Sequence, residues 1–185
     1  ALIELRNGNR RSAENLIQQS LAANVRTGSE QERKRLAWAF NMCSWELLTR
    51  SDADPNDFAL ATRIAERAVE FDGDNAWIVD TMATAYEKTG DIDRAVETEW
   101  RAWELLTPEV GVIRLHIEKA LVRMLRKTGD SEALEDGYRR IEYLYRNEVE
   151  RLRAIVPEEA LNLAAALVNL GYALVLEGIP AEIRP

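Results

Sequence analysis

The feature that most limits the fold of this chain is the spacing of its apolar residues. They recur at steps of three and four along nearly the whole sequence, as at Ala65, Ala68 and Val69. Such spacing places apolar side chains on one face of an α-helix, whereas strands show a two-residue alternation that this sequence lacks. Pairs such as Gly90-Asp91, which can end one helix and begin the next, interrupt the pattern. The sequence therefore predicts an all-α protein.

Local start and stop signals predict about nine helices separated by short turns. Ser29 and Glu32 fit a capping box, Asp74 is placed to cap the helix that follows Gly73, and Gly129-Asp130 marks a later break. Because short connections favour antiparallel neighbours, we expect consecutive helices to pack as antiparallel pairs. The predicted helices span 1–6, 10–25, 30–49, 57–71, 75–89, 92–106, 109–128, 131–153 and 157–177.

One segment, Ala76 to Glu109, is a helix–turn–helix unit of 34 residues. Its apolar and small residues stand where two helices would approach closely, around a turn at Gly90-Asp91: Val79, Met82, Ala83, Tyr86, Ala95 and Ala102. In period and in these positions the unit resembles the tetratricopeptide repeat family. It departs from the family pattern at Glu99, which replaces an aromatic residue, and at Pro108, which is displaced from the repeat end. The resemblance covers most of the chain and is clearest over 59–107.

The resemblance implies a right-handed α-solenoid built as a single helical-repeat domain. Its predicted parts are a half-repeat (1–28), three repeats (29–73, 74–108 and 109–154) and a C-terminal half-repeat or capping helix (157–178). The first full repeat contains an inserted loop at 50–57. Each unit of such an array buries its apolar stripe against its neighbours, which leaves an extended curved surface.

That surface implies a non-catalytic protein-interaction scaffold that holds a peptide or helix of another protein in a concave groove. In this family the first helix of each repeat lines the groove. The candidate partner-binding residues are therefore Trp38, Asn41, Trp77, Asp80, Thr84, Lys88, His116, Lys119, Arg123, Arg126 and Lys127.

The last five of these candidates form a basic stripe along one predicted helix. Their spacing places His116, Lys119, Arg123, Arg126 and Lys127 on one helical face. Guanidinium groups bind carboxylates through two parallel hydrogen bonds, so the stripe would suit an acidic peptide or a C-terminal carboxylate. The alternative is a solvated face whose charges pair with acids of the neighbouring repeat, such as Glu87 or Asp80.

The five tryptophans allow two interpretations. Tryptophan is frequent among the residues that dominate binding energy, so Trp38 and Trp77 on the predicted groove face could anchor a partner. The other interpretation is packing between helices, which we expect for most of the five.

The sequence carries one cysteine and one histidine, Cys43 and His116. These counts exclude an intramolecular disulfide framework and a zinc site with several cysteine or histidine ligands. The nine glycines are scattered, and no phosphate-binding loop or nucleophile-elbow motif occurs. We therefore expect no enzymatic activity, no metal and no cofactor. Cys43 lies within a helical apolar pattern and is expected to be an inert core residue.

The net charge of −8 gives no electrostatic argument for a nucleic-acid partner. The mixture of tyrosine and arginine between Tyr138 and Arg146 is the segment that would best suit one, but we expect no nucleic-acid binding. The net negative charge is concentrated in residues 51–109, which carry 15 acidic and 5 basic residues.

A structural role is the main alternative function. The predicted C-terminal helix has an apolar side, represented by Val168, Tyr172 and Val175, with no second half-repeat to cover it. Self-association as a homodimer, or continuation of a longer array, would cover that side. A third alternative is a regulatory fragment of a larger enzyme, suggested by the incomplete repeat at the N-terminus.

The sequence gives only weak indications of location. Residues 1–6 lack a signal-peptide pattern, and the apolar stretch Leu161–Leu176 contains two asparagines and is too short for a membrane span. We expect no membrane span, and the lack of disulfides favours the cytoplasm. A signal or domain outside this sequence would change that expectation.

Overall fold

The computed structural model describes residues 1–22, 29–106 and 111–153. Within these ranges the chain forms eight helices and no strand, which confirms the predicted all-α class. The helices are α1 (Leu2–Arg6), α2 (Arg10–Ala22), α3 (Glu30–Thr49), α4 (Pro55–Phe71), α5 (Ala76–Thr89), α6 (Ile92–Glu104), α7 (Gly111–Thr128) and α8 (Ser131–Arg153). The predicted ninth helix, 157–177, lies outside the described residues, and so do Val168, Tyr172 and Val175.

Short-range hydrogen bonds set most of the helix boundaries. Ser29 and Glu32 form the predicted capping box of α3. Gly90, with φ +85°, ends α5 in the left-handed conformation that glycine adopts most readily, and Asp91 caps α6. The predicted cap of α5 was wrong, because the side chain of Asn75 rather than Asp74 accepts the hydrogen bond from the Trp77 amide.

Helices α3 and α4 pack on each other through matched pairs along their length. The Ser44 hydroxyl of α3 donates to the carbonyl oxygen of Ala61 in α4, at 2.9 Å. The rings of Phe40 and Phe71 stack with their centroids 5.9 Å apart. The contact nearer the N-terminus of α3 is thus the one nearer the C-terminus of α4, so these two helices run in opposite directions.

Helix α5 lies in the interior of this part of the protein. It contacts α3, α4 and α6, and every residue from Ile78 to Glu87 is buried. The Tyr86 hydroxyl donates to Glu66 of α4 at 3.1 Å, and the Arg101 guanidinium of α6 donates to the carbonyl oxygen of Gly73 just before α5. Glu99, which stands where the repeat family has an aromatic residue, is also fully buried.

The residue contacts divide the chain into two compact units, Ala1–Ile113 and a second unit that begins at Arg114. In the second unit α7 and α8 meet at a glycine, since a β-carbon at Gly137 would lie 2.4 Å from Cδ1 of Leu125. The prediction of one continuous repeat domain is untested and stays a prediction. No helix in the described ranges is both long enough and apolar enough to cross a membrane.

Candidate interaction surfaces

The predicted groove residues of α3 and α5 divide into an exposed and a buried group. Trp38 and Trp77 expose 47% and 42% of their surface, which is unusual for residues of this size and makes both rings available to a partner. Their helices contact each other. The structure therefore keeps both tryptophans as candidate anchors.

Of the other four predicted groove residues on α3 and α5, three are buried and one is exposed. Asn41, Asp80 and Thr84 are buried, with 5%, 1% and 7% of their surface exposed. Oδ1 of Asn41 accepts no hydrogen bond from the described part of the chain. Lys88 is exposed, and its ammonium lies 5.6 Å from the ring centre of Phe58 in α4. As partner contacts these four residues stay predictions.

The basic stripe forms a continuous exposed surface on α7. Lys119, Arg123, Arg126 and Lys127 are exposed and His116 is half-buried. At 3.6 residues per turn the five residues fall within an arc of about 100° around the helix axis. Ile117, Leu121 and Met124 form a buried side of the same helix. We call the five-residue surface the basic face.

Three acidic residues are candidates to pair with the basic face, and all three are buried. Glu118, the one acidic residue of α7, is fully buried. Asp80 and Glu87, the acids considered as alternative partners, are buried residues of α5. The described residues of α7 that are exposed are all basic.

A groove of about 720 Å³ lies between α1, α2 and α3. Among the described residues that line it, those with polar side chains are Ser20 of α2 and Arg35 of α3. Its apolar walls come from Ala1, Leu2, Ile3, Ile17, Leu36, Trp38, Ala39, Phe40, Met42 and Cys43. This size is within the range of ligand-binding clefts, and apolar walls with few polar groups are typical of binding sites. We call it the α3 groove.

Sequence reasoning missed the α3 groove, although one signal for it was present. Residues Leu36 to Phe40 are apolar or aromatic at five consecutive positions, which is more than one buried helical stripe needs. In the structure Ala37 and Phe40 are buried, whereas Trp38 and Ala39 are exposed at the groove. The excess of apolar residues on α3 was therefore the signal in the sequence that could have indicated this groove.

Two buried titratable groups in the described ranges have raised pKa values. Burial raises the pKa of the Cys43 thiol, which disfavours the reactive thiolate. Burial and the nearby Glu66 carboxylate raise the pKa of Tyr86. No cluster of three histidine, cysteine or acidic side chains suited to a metal ion occurs among the described residues.

Comparisons with known proteins found no match to this chain. No protein-family model matches the chain, and no curated protein or solved structure matches it either. The likeness to tetratricopeptide repeats therefore rests on the residues named above and stays a prediction.

Proposed function

We propose that this chain is a non-catalytic interaction module that binds an acidic peptide or helix of another protein. The observation that carries the proposal is the basic face of α7, where four basic side chains are exposed within one arc. The two exposed tryptophans of the other unit supply further contact surfaces of the kind that partners use.

The chemistry of the basic face favours carboxylates over neutral groups. Arg123 and Arg126 each carry a planar guanidinium that can bind a carboxylate through two hydrogen bonds, and Lys119 and Lys127 add flexible ammonium groups. A single exposed ion pair contributes little, typically below about 1 kcal/mol. Binding therefore requires several acidic groups presented together, and it should weaken as salt screens the charges.

We propose that the chain is a solenoid in which α3–α4 and α5–α6 are successive repeats. Two observations support it. The contacts between α3 and α4 run in opposite directions, and α3, the first helix of one pair, contacts α5, the first helix of the next. A right-handed stack would continue this relation from pair to pair.

Binding of synthetic peptides tests the function. The probe is a fluorescent oligoglutamate of about 12 residues, prepared with a free or an amidated C-terminus, and the control probe replaces each Glu with Gln. We expect fluorescence anisotropy to show binding of the Glu peptide that weakens at least about tenfold between low and physiological salt. A preference for the free C-terminus would assign part of the recognition to the terminal carboxylate.

A matched pair of charge reversals locates the binding surface. Arg123→Glu/Arg126→Glu should weaken the Glu peptide at least about tenfold. Arg139→Glu/Arg140→Glu makes the same charge change at exposed positions of α8 and should change affinity by less than about twofold. Equal losses in both variants, or equal binding of the Glu and Gln peptides, would overturn the proposal.

A further inference from the structure

We propose that the α3 groove is a second docking site, which takes the apolar side of an amphipathic helix from a partner protein with an acidic residue facing Arg35. The inference rests on the proposed function only in that both describe an interaction module. It concerns a different unit of the chain and a different kind of contact.

The exposure of the groove rim favours a macromolecule over a small ligand. Ile3 exposes 73% of its surface and Trp38 exposes 47%. A small molecule is normally enclosed so that most of its surface is buried. A ligand confined to this groove would leave large parts of Ile3 and Trp38 in water, whereas a protein segment lying along the groove would cover them.

The dimensions of the groove fit a helix. Its α3 wall runs from Arg35 to Cys43, which at 1.5 Å per residue is about 12 Å. The anchors of a docked amphipathic helix, at positions i, i+3 or i+4 and i+7, span about 10.5 Å. Helix α1, which also lines the groove, has only 5 residues beside the 20 of α3, so it leaves much of that wall uncovered.

The charges around the groove specify an acidic neighbour on the partner. Arg35 is exposed at the groove and forms no ion pair with a described residue. Nearby basic residues are already engaged, since Lys34 pairs with Glu30 at 2.7 Å and Arg6 pairs with Glu46 at 3.1 Å. An acid on the docked helix would give Arg35 the partner that the described residues do not supply.

Two designed peptides test this proposal. Each is a helix of about 14 residues with leucine at i, i+3, i+4 and i+7 on an alanine and glutamine background. One carries Glu and the other Lys at the position flanking the leucines. On the unmodified protein we expect the Glu peptide to bind about threefold more tightly, which is the effect of one exposed ion pair. On Arg35→Glu the preference should reverse, whereas Arg139→Glu should leave it unchanged.

Two further measurements separate docking in the groove from attraction to charge alone. Ala39→Leu fills the groove wall without changing charge and should weaken the Glu peptide at least about tenfold. Cys43, the only cysteine, lies in the groove wall, so a docked helix should slow its alkylation at least about fivefold. Equal affinities for the two peptides, no effect of Ala39→Leu, or unprotected Cys43 would each overturn the proposal.

The outcomes also distinguish this inference from the proposed function. If the helical peptides fail while oligoglutamate still depends on Arg123 and Arg126, the groove proposal is wrong and the basic face stands. If saturating laurate or self-association of the protein, measured by light scattering, protects Cys43 while the peptides do not, the occupant is a lipid or a second copy and the helix proposal is wrong.

Discussion

Helices α3 and α5 are the first helices of two neighbouring pairs, yet they are covered to very different extents. Helix α5 is buried without interruption from Ile78 to Glu87. Helix α3 contacts α4 and α5, and among the described residues a further side of it meets the short α1 and an open groove. The two helices thus differ in burial, and the difference follows from the helices that pack against each of them.

The largest expected difference between the two regions is the cost of truncating an isoleucine. Ile78 of α5 is fully buried, so Ile78→Ala removes packed atoms and should lower the free energy of unfolding by about 3 kcal/mol. Ile3→Ala at the groove rim should change it by less than about 0.5 kcal/mol. Urea unfolding followed by circular dichroism measures both. Similar costs for the two variants would show that the α3 groove is covered in solution.

Enlarging an alanine should give the next largest contrast. Ala83 is completely buried in α5, so Ala83→Leu overpacks the core and should lower the free energy of unfolding by about 2 kcal/mol. Ala39→Leu places the same atoms in the groove and should stay within about 0.5 kcal/mol of the unmodified protein. The same urea titrations apply, and a large loss at Ala39 would contradict an open groove.

A smaller effect is expected where α5 is joined to α4 by a hydrogen bond. Tyr86→Phe removes the hydroxyl that donates to Glu66 and should lower the free energy of unfolding by about 1 kcal/mol. Tyr143→Phe, at an exposed position of α8, is the control and should have almost no effect.

The same tyrosine should be visible in a pH titration. Because burial and Glu66 raise the pKa of Tyr86, its phenol should ionise above the ordinary value of about 10. Its contribution to stability is present below that value and is lost as the pH rises through the higher pKa of the folded state. Ultraviolet absorbance of the phenolate, compared with Tyr86→Phe, identifies this group, and an ordinary titration would contradict its burial.

The smallest effect concerns a rate and leaves stability unchanged. The raised pKa of the Cys43 thiol lowers its thiolate fraction at mildly alkaline pH, and its burial hinders reagents. Iodoacetamide should therefore alkylate Cys43 at least about tenfold more slowly than an exposed thiol. The matched control is Ile3→Cys in a Cys43→Ala background. Equal rates would place Cys43 in an open rather than a nearly closed part of the groove.

Local chemistry accounts for the parts of the fold that the sequence predicted well. The limits of α3, the cap at Ser29 and the break at Gly90-Asp91 depend on hydrogen bonds between residues two to five positions apart. The start of α4 was predicted at 57, but the helix begins at Pro55 because Asp54 and Asp57 cap it reciprocally. Such errors arise where several neighbouring residues can serve as the cap.

The two candidate sites were predictable to different degrees, because one lies on a single helix and the other is formed by three. The basic face is a property of one helix, so spacing alone placed its residues together. The α3 groove requires α1, α2 and α3 to meet, and no short-range pattern fixes that arrangement. The burial of Asn41, Asp80 and Thr84 likewise depends on neighbouring helices. Their spacing along the sequence placed them on the predicted groove face but did not show that they are buried.

The glycine at position 137 brings the backbone of α8 close to α7. The atom that a β-carbon would meet there is Cδ1 of Leu125, the end of a flexible side chain. Gly137→Ala should therefore make the Leu125 side chain move, and the higher helix propensity of alanine, worth about 1 kcal/mol, should offset part of the cost. Larger side chains at this position would displace more of α7, so the small size of residue 137 sets how closely the two helices approach at this point.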